Sequence, residues 1–256
     1  MRITALTENT TEYDLPVEHG LSLYIEALGH KILFDTGQSE TFARNAEELG
    51  ADLTAVDIAV LSHDHYDHAG GIKKFLEIND KAPLYMSRCA FEERYHGDKY
   101  IGIDKSLQGS GRIILTCGVT EIADGLTLYD CNDREKLIDF GSFGLTMTKN
   151  GEKVPDDFRH EHYLLIEERG KRVLISGCSH KGIINIENWF EPDVLVGGFH
   201  FMDLPLDDKL ESYAKALDSF DTVYYTCHCT GTEQYAFMKK YMNKLHYIST
   251  GKTITI

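Results

Sequence analysis

No run in this sequence approaches the roughly 18–20 consecutive apolar residues of a membrane span, so a helical membrane protein is not expected. The opening residues, Met1-Arg2-Ile3-Thr4-Ala5-Leu6-Thr7-Glu8, are too short and too soon acidic to read as a signal peptide. Basic charge is scarce. Twenty-six Lys and Arg face 41 Asp and Glu, for a formal net charge of −15. That field repels nucleic acid and anionic membranes, because phosphate-backbone binding relies on basic clusters. A small anionic substrate stays compatible with it, since an acidic surface can surround a cationic metal pocket. Paired-cysteine spacing is missing as well. Of Cys89, Cys117, Cys131, Cys178, Cys227 and Cys229, only the last two are close, and they do not form a Cys-x-x-Cys pair. Reduced thiols in a cytoplasmic protein are expected rather than a disulfide framework.

What is present can fill a sizeable core. The 256 residues are 42% hydrophobic and 11% aromatic, which suits one α/β domain over 1–256. Strands are expected at Ile3–Leu6, Leu21–Ala27 and Lys31–Phe34, then a helix from about Glu40 to Leu49 with Ser39 as N-cap and Gly50 as its stop. A buried strand over Val56–Leu61, a short helix near Ile72–Leu76 and a strand at Leu84–Met86 follow. From about 88 to 161 the pattern is irregular, with strands at Ile113–Cys117 and Leu126–Tyr129 and mostly loop from Asn132 to Asp157. It reads as an elaboration, either a lid or decoration away from the site. Regularity returns with a hairpin of Tyr163–Ile166 and Arg172–Ile175, a helix over Ile183–Phe190 and a strand at Val194–Val196. A helix at Leu206–Leu217, a strand at Thr222–Thr226, a helix at Glu233–Tyr241 and β-favouring residues from Tyr247 close the chain. That order suits two packed sheets covered by helices.

The densest chemical signal is His63-Asp64-His65-Tyr66-Asp67-His68. Imidazole is the commonest protein metal ligand, and carboxylate completes mixed nitrogen and oxygen sites. Alternation along the preceding strand is expected to bring His63 and His65 out on one side, with Asp67 and His68 turning toward a second ion. Three further clusters fall where strands should end: Ser176-Gly177-Cys178-Ser179-His180, Gly197-Gly198-Phe199-His200 and Cys227-His228-Cys229-Thr230-Gly231. Ligands in α/β proteins gather at such ends, so convergence on one pocket is expected. His180 and His228 read as metal ligands, and His200 as a substrate-facing or supporting group. Cys178 is either a thiolate ligand or a small buried side chain. Cys227 and Cys229 read as structural, and His30, His96 and His246 as ordinary. Asp35 could accept a hydrogen bond from a ligating histidine and fix its tautomer. Asn9, Glu18 and His19 are polar groups at early strand ends and candidate substrate contacts.

His63-x-His65-x-Asp67-His68, with Asp35-Thr36-Gly37 after an earlier strand, resembles the metallo-β-lactamase superfamily. The resemblance covers nearly the whole chain and implies a four-layer αββα sandwich with a mono- or dinuclear site at one edge. Glu18-His19-Gly20, Ser176 to Ile183, Gly197 to His200 and His228 to Gly231 are similar to one subgroup. That subgroup takes its name from 7,8-dihydropterin-6-methyl-4-(β-D-ribofuranosyl)aminobenzene-5′-phosphate synthase. Ser-Gly-Cys stands here where Ser-Gly-Asp is common, and the Gly-His-Ser/Thr turn that usually carries a ligand is absent. His160 and His162 precede the strand, but His180 fits the subgroup pattern better. The resemblance thus implies His63, His65 and His180 on one ion and Asp67, His68 and His228 on the other, with Cys178 at or behind the site.

The expected activity is a metal-dependent hydrolase of a small molecule, a phosphate ester or cyclic ester, attacked by a metal-bound hydroxide. Asp67 would ligate and orient, and His200 or His19 would meet a developing oxyanion. Two divalent ions are expected, zinc foremost, with manganese or iron compatible with the same donors. The subgroup name implies an alternative, condensation of a dihydropterin with a ribofuranosylaminobenzene 5′-phosphate. A non-catalytic metal-binding protein is a third reading, disfavoured by the near-complete ligand set. An oxygen-reducing di-iron centre is also disfavoured, because His65 occupies the glutamate position of His-x-Glu-x-Asp.

Overall fold

Short apolar runs, whose successive side chains point to opposite faces, build two facing sheets, seen in a computed structural model that describes all 256 residues. The first sheet has seven strands in the spatial order Thr253–Thr255, Arg2–Thr7, Ser22–Ala27, His30–Phe34, Ile58–Val60, Leu84–Ser87 and Ile113–Thr116. The second has seven in the order Leu245–Tyr247, Val223–Thr226, Val194–Val196, Lys171–Ile175, Tyr163–Glu168, Leu126–Tyr129 and Val119–Ala123. Ile32 and Phe34 of one sheet meet Val173 and Ile175 of the other in the central core. The residues between them point outward. Leu33 packs with Phe42 and Phe75 of the helices Thr41–Leu49 and Ile72–Ile78. Leu174 packs under Ile186 and Leu210, from the helices Ile183–Phe190 and Asp208–Asp218. The result is a four-layer αββα sandwich.

Strand direction decides where the chemistry collects. His30–Phe34 is parallel to Ile58–Val60, and Lys171–Ile175, Val194–Val196 and Val223–Thr226 are mutually parallel. Their C-terminal ends therefore lie along an edge of each sheet, and the polar clusters follow them. Tyr163–Glu168 runs antiparallel to Lys171–Ile175, which returns His160, Glu161 and His162 to that same edge. Gly177 is required where the sheets close together there, because a Cβ on it would collide with the Ser62 side chain. Asp35, Ser179, His200 and His228, each just beyond a strand, have φ of 60°, 59°, 55° and 50°. Left-handed backbone of this kind costs roughly 1–3 kcal/mol per residue and tends to cluster at functional sites.

Several expectations need correction. The motif strand stops at Val60, so His63 and His65 project from an extended loop, and Asp67 and His68 sit on a helical turn, Tyr66–Ala69. Glu40 occupies the cap position of its helix without a side-chain bond, while Ser39 Oγ accepts the Thr41 amide at 3.1 Å. Gly50 ends that helix at φ 67° as its sequence position suggests. The stretch 132–157 is mostly loop as expected, but it also carries a hairpin that its composition hides. Leu145–Lys149 and Glu152–Pro155 pair as a hairpin and join Arg94–His96 and Lys99–Tyr100 in a separate four-stranded sheet. The tail Tyr247–Ile256 is divided, with Leu245–Tyr247 in the second sheet and Thr253–Thr255 in the first.

One buried acid makes the fold pH-sensitive. Glu187 is fully buried, its Oε1 accepting the Thr222 hydroxyl and its Oε2 without a partner. Burial pushes its pKa from 4.5 to about 7 against the opposing Thr222 hydrogen bond. A raised folded-state pKa gives stability that is present below pH 4.5 and is lost as pH rises through 7. The penalty above that range is of order 3 kcal/mol. Glu187→Gln should therefore stabilise the protein at pH 8 by roughly 1–3 kcal/mol and have little effect at pH 4, read from urea midpoints. Equal effects at both pH values would contradict it.

Candidate metal centre

Three imidazoles converge without partners. One ligand atom each from His63, His65 and His180 lies within 4.8 Å of the other two. His63 Nε2, His65 Nε2 and both ring nitrogens of His180 are buried and lack any hydrogen-bond partner. A buried polar atom left unpaired costs about 1–3 kcal/mol, so several together at one point call for a shared acid. Burial and the neighbouring rings hold His63 and His180 well below the usual histidine pKa, and His65 at about 3. They are neutral lone-pair donors near pH 7, which is what a divalent ion requires.

Beside them is a second group. His68 Nε2 and His228 Nε2 face each other at 3.2 Å, and Asp67 Oδ2 lies 3.3 Å from His228 Nε2 and 3.9 Å from His68 Nε2. Burial works to raise the Asp67 pKa, yet the surrounding His68, His19 and His228 hold it well below the usual carboxylate range. Burial likewise opposes a charge on His68, but Asp35 and Asp67 outweigh it and set its pKa at about 9. The pocket is built for positive charge here, from a proton or a cation. These donors fit a divalent ion.

Behind the imidazoles stand carboxylates and amides that aim them. Asp35 Oδ2 contacts His68 Nδ1 at 2.7 Å and accepts the Ser62 hydroxyl at 2.7 Å, while Oδ1 accepts the Ser62 amide at 2.7 Å. Ser62 Oγ in turn lies 2.8 Å from His63 Nδ1, so one carboxylate orients a histidine of each group. Asn tolerates the left-handed backbone of this position, so Asp35→Asn should fold. It should weaken metal binding by about 10–100-fold, measured by competition with a chromophoric chelator; unchanged affinity would contradict the role. Asn9 Oδ1 accepts from His228 Nδ1 at 2.7 Å, leaving Nε2 as the bare nitrogen. Glu161 accepts the amides of His180 at 2.7 Å and Lys181 at 3.0 Å.

The placements refine the expected roles. Asn9 orients His228 and lines a neighbouring cavity with it, and Glu18 Oε1 accepts the amides of Gln38 and Ser39 at 2.9 and 3.2 Å; neither lines the cavity over the imidazoles. His19 does, with Nε2 3.2 Å from Asp67 Oδ2. Its pKa is raised, chiefly by that bond. His200 also lines it, its ring 4.2 Å from His180 and 4.5 Å from Phe143. Cys178 lies between the groups, with Sγ 3.2 Å from His68 Nε2 and in reach of His63, His180 and His228. Cys229, expected to be structural, shares this site with Cys178 and His228. His96, expected to be ordinary, is on the cavity wall with Lys99. The cavity has a volume of about 260 Å³, small-molecule size.

Sequence reasoning also missed a buried ionic cluster beneath the motif. Arg94, 0% exposed, reaches Asp64 at 2.6 Å and Asp156 at 3.2 Å, and His160 Nδ1 lies 2.5 Å from Asp64. It bolts the small sheet to the centre of the histidine motif. The run His160-Glu161-His162 before a strand was the available signal.

The family model described as the metallo-beta-lactamase superfamily matches residues 15–224. The chain belongs to the metallo-β-lactamase superfamily. It is 31% identical over 268 residues to the uncharacterised protein MJ0448 of Methanocaldococcus jannaschii, covering 99% of this chain and 100% of that one. It is 29% identical to the 7,8-dihydropterin-6-methyl-4-(β-D-ribofuranosyl)-aminobenzene-5′-phosphate synthase of the same organism, over 99% and 96% of the two chains. The crystal structure of Tm1679, described as a metal-dependent hydrolase of the β-lactamase superfamily, superposes with a TM-score of 0.83. It is 29% identical and the match covers 100% of this chain and 99% of that one. The histidine cluster lies at one edge of the paired sheets. No helix is long and apolar enough to cross a membrane.

Proposed function

We propose that this superfamily member is a cytoplasmic, metal-dependent hydrolase of a small molecule, a phosphate ester or cyclic ester, with a dinuclear centre. The observation that carries it is the set of buried, partnerless nitrogens on His63, His65 and His180 beside Asp67, His68 and His228. The first three would hold one ion and the second three the other. Bound divalent ions supply Lewis acidity and lower the pKa of coordinated water from 15.7 to about 7. Zinc, with manganese and iron as alternatives, suits these donors. Asp67, held ionised, accepts from the attacking water and orients its lone pair toward the substrate. His19, bonded to Asp67 and reaching into the cavity, can pass a proton to the leaving oxygen. His200, lining the same cavity, would donate to the oxyanion. Six free thiols support the reducing compartment.

A condensing activity is the second reading, favoured by the full-length similarity to the pterin-pathway synthase. Metal-loaded protein should be offered 4-nitrophenyl phosphate, its diester, aryl lactones, and a dihydropterin with a ribofuranosylaminobenzene 5′-phosphate. Metal-dependent ester cleavage supports hydrolysis. Joined pterin product without ester cleavage would replace it with the synthase reading.

A further inference from the structure

We propose that Lys99 is the anion-binding group of this cavity, gripping a phosphate or carboxylate that the substrate carries apart from its reacting centre. The inference rests on the cavity being a substrate site but not on the hydrolytic reading itself. Of the residues lining the cavity, Lys99 is the one Lys or Arg, in a chain of net charge −15. It stands on the wall supplied by the small sheet, not on the strand ends that carry the imidazoles. His96 and Lys99 are direct cross-strand partners, so their side chains share a face, and both line the cavity.

The position is held from several sides. Arg94, two residues before His96, is buried against Asp64 of the histidine motif. Ile101 accepts the Tyr66 amide at 2.8 Å, tying the far end of the hairpin to the same motif. Lys153 donates to the Gly97 carbonyl and the Asp98 carboxylate, each at 3.1 Å, which fixes the turn. Lys99 Nζ then rests 4.1 Å from the centroid of the Tyr66 ring. A ring face holds an ammonium by its quadrupole and consumes no N–H donor.

Nearby carboxylates are already engaged. Asp98 pairs with Lys153 at 3.1 Å and Glu93 with Lys105 at 2.7 Å, and Asp67 is taken by histidines. Asp203 shares the cavity but makes no ion pair with Lys99. A cation held in place, unpaired and facing a cavity is what an oxyanion needs. Phe143, edge-on to His200 and lining the same cavity, offers an apolar face for the body between the two ends. The substrate class is therefore a small molecule with an apolar or planar body, a reacting group at the imidazole cluster and an oxyanion at Lys99.

The test is calorimetric titration of metal-loaded protein with phenylphosphonate and with its 3- and 4-carboxy derivatives. The phosphonate addresses the imidazole cluster and the carboxylate addresses Lys99. At least one carboxylated probe should bind about tenfold tighter than phenylphosphonate, as a charge-assisted hydrogen bond provides. Lys99→Ala should remove that advantage and leave phenylphosphonate unchanged, and Lys99→Arg should restore most of it. The residue is exposed and makes no ion pair, so the variants should fold. No advantage for either carboxylated probe, no binding of any probe, or equal weakening of all three by Lys99→Ala would overturn the proposal. Retained discrimination without ester cleavage would refute the hydrolase reading and leave this one standing.

Discussion

His65→Ala protein is expected to lose ester cleavage by at least about 10³-fold, since a bound ion contributes several kcal/mol of transition-state stabilisation. His65 Nε2 is one of the orphaned nitrogens and groups with His63 and His180. The substitution should not unfold the chain. Burial keeps the ring neutral, with a pKa of about 3, so its removal deletes an unpaired polar atom and no charge. Metal-free variant and metal-free wild type should therefore melt within a few degrees of each other. The difference should appear on adding zinc, which stabilises any protein that binds it in the folded state only. Wild type should show a rise in Tm and the variant a much smaller one. Full turnover by His65→Ala, or an undiminished zinc-induced shift, would remove the three-histidine group from the account.

Arg94→Met should destabilise the protein by about 3–5 kcal/mol, the cost of breaking a buried ion pair from one side. The reason is the company Arg94 keeps. Asp64 and Asp156 are both buried, within 2.6 and 3.2 Å of the guanidinium, and methionine would strand their charge. His160 can offset part of this, because its pKa is raised and both carboxylates face it. A chain of this size loses about 2–4 °C of Tm per kcal/mol, so a fall of roughly 10 °C is expected. Metal affinity should fall too, as Asp64 lies between His63 and His65. A change below about 1 kcal/mol would show that the cluster is no more than a surface pair in its effect.

Much of this was legible before the fold was known, for a physical reason. Short continuous apolar runs, such as Ile32-Leu33-Phe34 and Val173-Leu174-Ile175, specify buried strands locally, and the sandwich follows from their two apolar faces. Histidines at strand ends were equally visible, because parallel neighbours force their C-terminal ends together. What escaped depends on contacts far apart in sequence. Arg94 meets Asp64 across 30 residues, and arginine reads as a surface residue by type. The hairpin Leu145–Lys149 with Glu152–Pro155 was hidden by flanking glycines and a half-exposed, polar pattern. His96 and Lys99 gained meaning only when that small sheet was seen to form the cavity wall. For Glu18 and Asn9, polarity alone does not distinguish a substrate contact from a group that aims a histidine or holds a loop.

The most direct test of the central claim is metal content by elemental mass spectrometry, on protein prepared without chelator and without nickel affinity. Two adjoining donor sets should retain about two equivalents of zinc, manganese or iron per chain. No retained metal, even after reconstitution with each ion, would contradict the metal centre and the function built on it.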